Sequence, residues 1–260
     1  MSLKAPLPYP RGTPTFSSPK GTPTPDVGEL PDLDGASAEY ILTWAIERFF
    51  PEIAVACSMQ DAVLVDLAWR IEPRIEVFFL ETGFHFPETL ETAQKMRDRY
   101  KLNLVALQPG PDPAIYSRDG YEACCAARKV APMQAHLQGK RAWASGLRRA
   151  ESPSRATAKA VEWDARRGLV KVNPIVAWTD EEVETYIAEH DLIVNPLRLQ
   201  GYDSIGCWPC TQAGKGREGR WAGQDKLECG LHPALAEPLV VSESGLGPRE
   251  KPGEKRAEQA

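Results

Sequence analysis

Residues 53–80 read IAVACSMQDAVLVDLAWRIEPRIEVFFL. Ile53–Cys57 is an unbroken apolar run, as expected of a strand buried on both faces of a sheet. Asp61–Ile71 carries its apolar residues at helical spacing. Ile75–Leu80 is a second apolar run. A strand, a helix and a strand in such short order predict a βαβ unit, with parallel strands and a right-handed connection.

The alternation continues on both sides of this stretch. Ala36–Phe50 has helical spacing (Ile41, Leu42, Ala45, Ile46, Phe49) and stops at Pro51. Pro87–Tyr100 predicts a helix with proline in its first turn, and Leu104–Leu107 a third strand. Cys124–His136 predicts a helix, while Arg141–Ser145 and Val170–Asn173 predict further strands. Thr179 with Glu182 predicts a capping box for a helix over 180–190. The expected class is α/β, a parallel sheet with helices on both faces, in one domain over 36–239. Residues 1–35 hold eight prolines between Pro6 and Pro31. They offer too little apolar surface to offset their ordering entropy and read as a disordered arm. Residues 240–260 read as a disordered tail. Past Asn195 the regular pattern fades. Residues 195–232 are rich in Gly, Cys, Trp, Arg and Lys, a composition suited to folding over a site or around a metal.

The net charge of −5 over 260 residues argues against a protein that coats nucleic acid. No apolar run approaches the roughly 18 residues of a membrane span. The first residues lack the apolar core of a secretory signal. The expected compartment is the cytoplasm, where six cysteines are core residues, metal ligands or reactive thiols rather than disulfides. Cys124-Cys125 and Cys207-Trp208-Pro209-Cys210 form two tight pairs. Four thiolates suit an iron–sulfur cluster or a structural zinc. Zinc ribbons usually pair two C-x-x-C knuckles, so the tandem pair favours iron–sulfur. Adjacent cysteines diverge in a strand and reach one centre only from an unusual backbone, such as a helix start. Cys229, in Glu228-Cys229-Gly230-Leu231-His232, is either a lowered-pKa nucleophile or structural. Cys57 sits in a strand pattern and reads as core.

Residues 128–171 hold eleven Lys and Arg against three Asp and Glu. Lys215, Arg217 and Arg220 follow the C-x-x-C pair. Such groups suit phosphate or sulfate. Lys129, Arg148, Arg217 and Arg220 flank cysteines or glycines and are the better candidates for a ligand. Lys140, Lys159, Arg166 and Arg167 read as solvated faces. The turns Cys57–Asp61 and Glu81–Gly83 follow strand carboxyl ends, where open α/β sheets bind ligands. Gly83 would allow a base or ribose to approach closely.

The stretches VFFLETGFHFPET, CCAARK, ASGLRRAESPSR, VNPIVAWTDEEVETYI, NPLRLQGYDSIGCWPCT, REGRW and KLECGLH resemble the assimilatory sulfonucleotide reductases. Among these they are most similar to the iron–sulfur adenylyl-sulfate (APS) reductases. The resemblance reaches from about Ala54 to His232. It implies the adenine-nucleotide α-hydrolase-like, PP-loop fold. It also implies a [4Fe–4S] cluster on Cys124, Cys125, Cys207 and Cys210, and Cys229 as nucleophile. Substrate contacts carried over are Ser58, Leu80, Gly83, Lys129, Arg148, Arg155, Arg217, Arg220 and His232. The implied reaction is attack of Cys229 on the sulfonyl sulfur of APS, expelling AMP. Thioredoxin then cleaves the S-sulfocysteine to release sulfite for assimilation. A homo-oligomer is compatible with all of this.

Three alternatives stand beside it. One is reduction of 3′-phosphoadenylyl sulfate (PAPS), alone or with APS. Another is a PP-loop tRNA-thiolating enzyme, which needs a glycine-rich SGGxDS loop that this chain lacks. The third is a zinc- or cluster-bearing regulator that binds nucleic acid. The chain also departs from the reductase pattern, because Ser58-Met59-Gln60-Asp61 has no glycine.

Overall fold

A computed structural model describes residues 29–110, 115–222, 228 and 230–232. Six strands form one sheet: β1 (Ile53–Ala56), β2 (Glu76–Leu80), β3 (Asn103–Leu107), β4 (Ala142–Ala144), β5 (Val161–Asp164) and β6 (Leu169–Val172). Their order is β3-β2-β1-β4-β6-β5. All neighbours are parallel except β5, which runs antiparallel on β6. The sequence pattern did not predict β5. It has four residues, two of them acidic, so no apolar run marks it. Its Glu162 stands opposite Lys171 of β6, and the two form an ion pair at 2.7 Å.

The helices are α1 (Ala38–Phe49), α2 (Val63–Ile71), α3 (Pro87–Tyr100), α4 (Ile115–Cys125), α5 (Ala131–His136) and α6 (Asp180–Glu189). The steps β1→β2→β3 move in one direction, so right-handed crossovers put α2 and α3 on one face. The return to β4 reverses direction and carries α5 to the other. The core divides accordingly. Ile53, Val55, Val77, Phe79, Ala144 and Val172 pack with Leu42, Leu67 and Met96 of α1, α2 and α3. The alternate residues Ala54, Phe78, Trp143 and Leu169 pack with Met133 and Leu137 at α5. Thr179 and Glu182 form the expected capping box at α6.

Cys124–His136 is helical throughout, as expected, but it runs from the end of α4 through a π-helical turn over Ala126–Val130 into α5. One local expectation is corrected. Residues 29–35, assigned to the arm, are packed. Leu30 and Leu33 rest on the larger core. Asp34 accepts a bond from the Ala160 N–H at 2.8 Å and pairs with Arg149. These contacts lie at the end of the segment, past most of its prolines, where apolar and acidic side chains find partners on the core. Residues 1–28, the tail 240–260 and Cys229 lie outside the described residues. No helix among the described residues is long and apolar enough to cross a membrane.

Candidate active site

Strand order reverses at β1, with β2 on one side and β4 on the other, and ligands bind beyond the carboxyl ends at such a point. A cavity of about 490 Å³ opens there, a size suited to a mononucleotide. Ser58 follows β1, Leu80 ends β2, and Ser145–Arg148 follow β4. Lys129 enters from the π-helical turn, and Arg155, Arg217, Arg220 and His232 from loops over the sheet. Eight of the nine substrate positions expected from the sequence therefore line one cavity.

Gly83 is the ninth, and it is not among the lining residues. Its φ is +75°, and a Cβ there would stand 3.2 Å from Arg128 Nη1. Arg128 donates to the Thr82 carbonyl at 2.7 Å. The close neighbour of this position among the described residues is that guanidinium.

The Ser58–Asp61 turn works without glycine. Met59 takes φ 62°, the left-handed conformation usually left to glycine, while its side chain is fully buried. Asn195 clamps the turn. Its amide donates to the Met59 carbonyl at 3.2 Å and to Thr89 Oγ1 at 3.1 Å. Gln60 ties the same turn to the far segment, accepting from Ile205 N–H at 3.1 Å and donating to the Asp203 carbonyl at 3.3 Å. Sequence reasoning singled out neither Gln60 nor Asn195; their only signal was a polar residue beside an expected turn. Cys57 packs against the core, as expected, and also touches the cavity edge. Burial pushes its thiol up to about 12, which leaves it protonated and a poor nucleophile.

Trp143 of β4 and His232 also meet at the cavity. Burial holds His232 well below the ordinary histidine value, and the charges of Lys171, Arg155, Arg167 and Arg217 add to that. Arg167, expected on a solvated face, is instead buried in a pair with Asp164 at 2.6 Å. Lys140 likewise pairs with Glu76 at 2.8 Å.

Glu228 is the most heavily bonded acid of the site. Its carboxylate takes Arg155 Nε at 2.8 Å and Nη2 at 2.9 Å, and Arg217 Nη2 at 3.1 Å. Burial raises its pKa, but the Arg155 bonds and the charges of both arginines prevail and lower it.

A second, smaller cavity adjoins the first. Cys124, Cys125, Cys207 and Cys210 all line it, with Thr82, Tyr116, Arg128 and Lys129. Lys129 lines both cavities. The unusual backbone expected for adjacent cysteines is a helix end running into a π-helical turn, not a helix start. Cys207 and Cys210 bracket a 3₁₀ turn, and Thr82 Oγ1 lies 3.2 Å from Cys207 Sγ. Burial, then the charges of Cys125 and Cys207, push the Cys124 thiol up to about 11. Among the described residues no three His, Cys, Asp or Glu converge tightly enough to hold a single ion.

The phosphoadenosine phosphosulfate reductase domain matches residues 52–213. The chain belongs to this family, the sulfonucleotide reductases. It is 45% identical over 214 residues to an adenosine 5′-phosphosulfate reductase of Streptomyces coelicolor, covering 77% of this chain and 90% of that one. It is 41% identical over 231 residues to the protein of that name from Mycobacterium tuberculosis, covering 77% and 91%. Among solved structures it superposes on a PAPS reductase from Candida auris in a phosphate complex, with a TM-score of 0.60 at 25% identity, covering 69% of this chain and 92% of that one. A yeast FAD synthetase bound to FAD shares the fold, with a TM-score of 0.52 at 17% identity over 68% and 65% of the chains. The fold is thus the PP-loop type.

Proposed function

We propose that the chain reduces adenylyl sulfate to sulfite and AMP in sulfate assimilation, through a covalent intermediate on Cys229. The observation that carries the reading is the seating of the residues around Cys229. Leu231 and His232 line a nucleotide-sized cavity rich in arginine, and Glu228 bonds two of its lining residues, Arg155 and Arg217. The relatives named adenosine 5′-phosphosulfate reductase support the substrate.

In this reading the Cys229 thiolate attacks the sulfonyl sulfur. An S–S bond forms, the S–O bond to phosphate breaks, and AMP leaves with the electron pair. Arg148, Arg217, Arg220 and Lys129 are the cations available to hold the phosphosulfate and the charge that develops on the departing phosphate. A protein dithiol then attacks Cys229 Sγ and releases sulfite. Its second thiol resolves the mixed disulfide and returns Cys229 reduced. Sulfur gains two electrons, and the dithiol supplies both. Thioredoxin is the proposed donor and the cytoplasm the proposed compartment.

Cys124, Cys125, Cys207 and Cys210 would hold a [4Fe–4S] cluster. The donor set fits: four thiols share one cavity with two cations and a hydroxyl 3.2 Å from one sulfur. A [4Fe–4S] cluster takes one thiolate on each of its four irons, which matches four cysteines in number and type. A cluster there would supply fixed charge next to Lys129 and a covalent tie between the end of α4 and the 195–222 segment.

The test is sulfite release by anaerobically purified protein with thioredoxin, comparing APS with PAPS. Turnover on APS, absent in Cys229→Ser, is expected. Preference for PAPS would overturn the substrate, and sulfite from Cys229→Ser the mechanism.

A further inference from the structure

We infer that Glu228 is a positioning residue, the anchor that seats the Cys229 segment on the cavity, and that Arg155 is its holder rather than a substrate ligand. The inference rests on the reading of Cys229 as nucleophile.

All three nitrogens of the Arg155 guanidinium are taken by carboxylates. Nε and Nη2 grip Glu228 in a bidentate pair at 2.8 and 2.9 Å, and Nη1 binds Glu151. The Arg155 side chain is only 6% exposed. Three of its five N–H donors, one on each nitrogen, are committed to carboxylates, which fixes the plane of the guanidinium toward Glu228 and Glu151. Its paired geometry is the strong, direction-fixing kind. Arg217 Nη2 at 3.1 Å and Ser154 Oγ at 3.3 Å complete the seat. Arg155 and Ser154 follow β4, while Arg217 follows the C-x-x-C pair. The carboxylate therefore joins two separate loops to the residue next to the nucleophile.

The far side of residue 229 is fastened too. Arg166 donates to the Gly230 carbonyl at 3.1 Å, Leu231 packs on the smaller core, and His232 stacks on Trp143. Adjacent Cα atoms are about 3.8 Å apart, and both chain neighbours of residue 229 are thus held. An error of about 1 Å in such placement costs on the order of a hundredfold in rate.

The experiment compares wild type with Glu228→Gln, which keeps the shape and removes the charge. Three quantities are read: iodoacetamide labelling of Cys229 by peptide mass spectrometry, the AMP dissociation constant, and S-sulfonation of Cys229 in a single turnover with APS. The expected result is faster labelling, unchanged AMP affinity and sulfonation slowed by about a hundredfold. Arg155→Lys should behave alike, and the double variant should be little worse than either single one, because both cut the same clamp. Tighter AMP binding with intact sulfonation would show that Glu228 merely occupies the substrate's anion site, and would overturn the inference. So would equal losses of AMP affinity and rate, or labelling that does not change. Failure of the wild type to accept the sulfonyl group, with the labelling difference intact, would sink the proposed reaction and leave the anchor standing.

Discussion

The imidazole of His232 lies almost parallel to the indole of Trp143, with planes 14° apart and ring centroids separated by 5.8 Å. Burial and four surrounding cations, Lys171, Arg155, Arg167 and Arg217, keep that ring neutral. In NMR titration of the four histidines, with His232→Gln for assignment, His232 is expected to titrate well below 6.5. A folded value under the unfolded one means that the undocked segment binds the extra proton. The docked state is therefore favoured above about pH 6.5 and loses ground as pH falls, by up to about 1.4 kcal/mol per pH unit until the folded value is reached. A midpoint at or above 6.5 would show that the ring does not sit in this seat.

Met59 and Asn195 yield a stability prediction. Met59 holds a backbone conformation that costs a non-glycine residue roughly 1–2 kcal/mol, and the Asn195 amide holds its carbonyl. Asn195→Ala leaves buried polar groups without partners and should lower stability by about 1–3 kcal/mol in urea unfolding. It should also weaken AMP binding, because the turn loses its clamp. Met59→Gly relaxes the backbone but empties a fully buried site. A net loss of about 1–4 kcal/mol is expected, since deletion of a large core side chain outweighs the relief. Stabilisation by Met59→Gly would mean that the side chain contributes little.

These residues also mark what could and could not be read from the chain. IAVAC and IEVFFL announced β1 and β2 because strands buried on both faces are apolar throughout. The crossover rules then placed the cavity. Ser58, Leu80 and the arginines were legible because they stand at strand ends or in motif stretches. Strand β5 was not, since an edge strand held by Glu162 and Lys171 carries no apolar signature. Positive φ at Gly83 shows only that something comes close, and the residue that does so here, Arg128, has no local signal in the sequence. Glu228 stood in plain view beside Cys229, but its role depends on Arg155 and Arg217, 73 and 11 residues away in the chain. The partners of a charged residue depend on tertiary structure and leave no local pattern.

The shared cavity of the four cysteines predicts that Cys207→Ser loses iron and acid-labile sulfide from anaerobically prepared protein. Cys57→Ser should keep both, because the Cys57 thiol belongs to the other cavity. Thr82→Val removes only the hydroxyl beside Cys207 Sγ. It should retain iron and shift the visible absorption of the loaded protein. Full iron in Cys207→Ser would remove that residue from the ligand set.

Arg148 separates binding from rate. Its side chain is 12% exposed, and its guanidinium bonds Asp180 at 2.7 Å and the Trp178 carbonyl at 3.2 Å. Asp180 is itself 80% exposed, so that pair is worth at most about 1 kcal/mol, and Arg148→Lys should leave stability nearly unchanged. Lysine keeps the charge but loses the planar fork that suits phosphate or sulfate. If Arg148 holds the nucleotide anion equally in ground and transition states, Arg148→Lys raises KM by about tenfold and spares kcat, a loss of about 1.4 kcal/mol. Glu228→Gln should show the opposite pattern, because an anchor for the nucleophile acts on the chemical step. A fall in kcat with KM unchanged for Arg148→Lys would instead place Arg148 on charge that appears only as AMP departs.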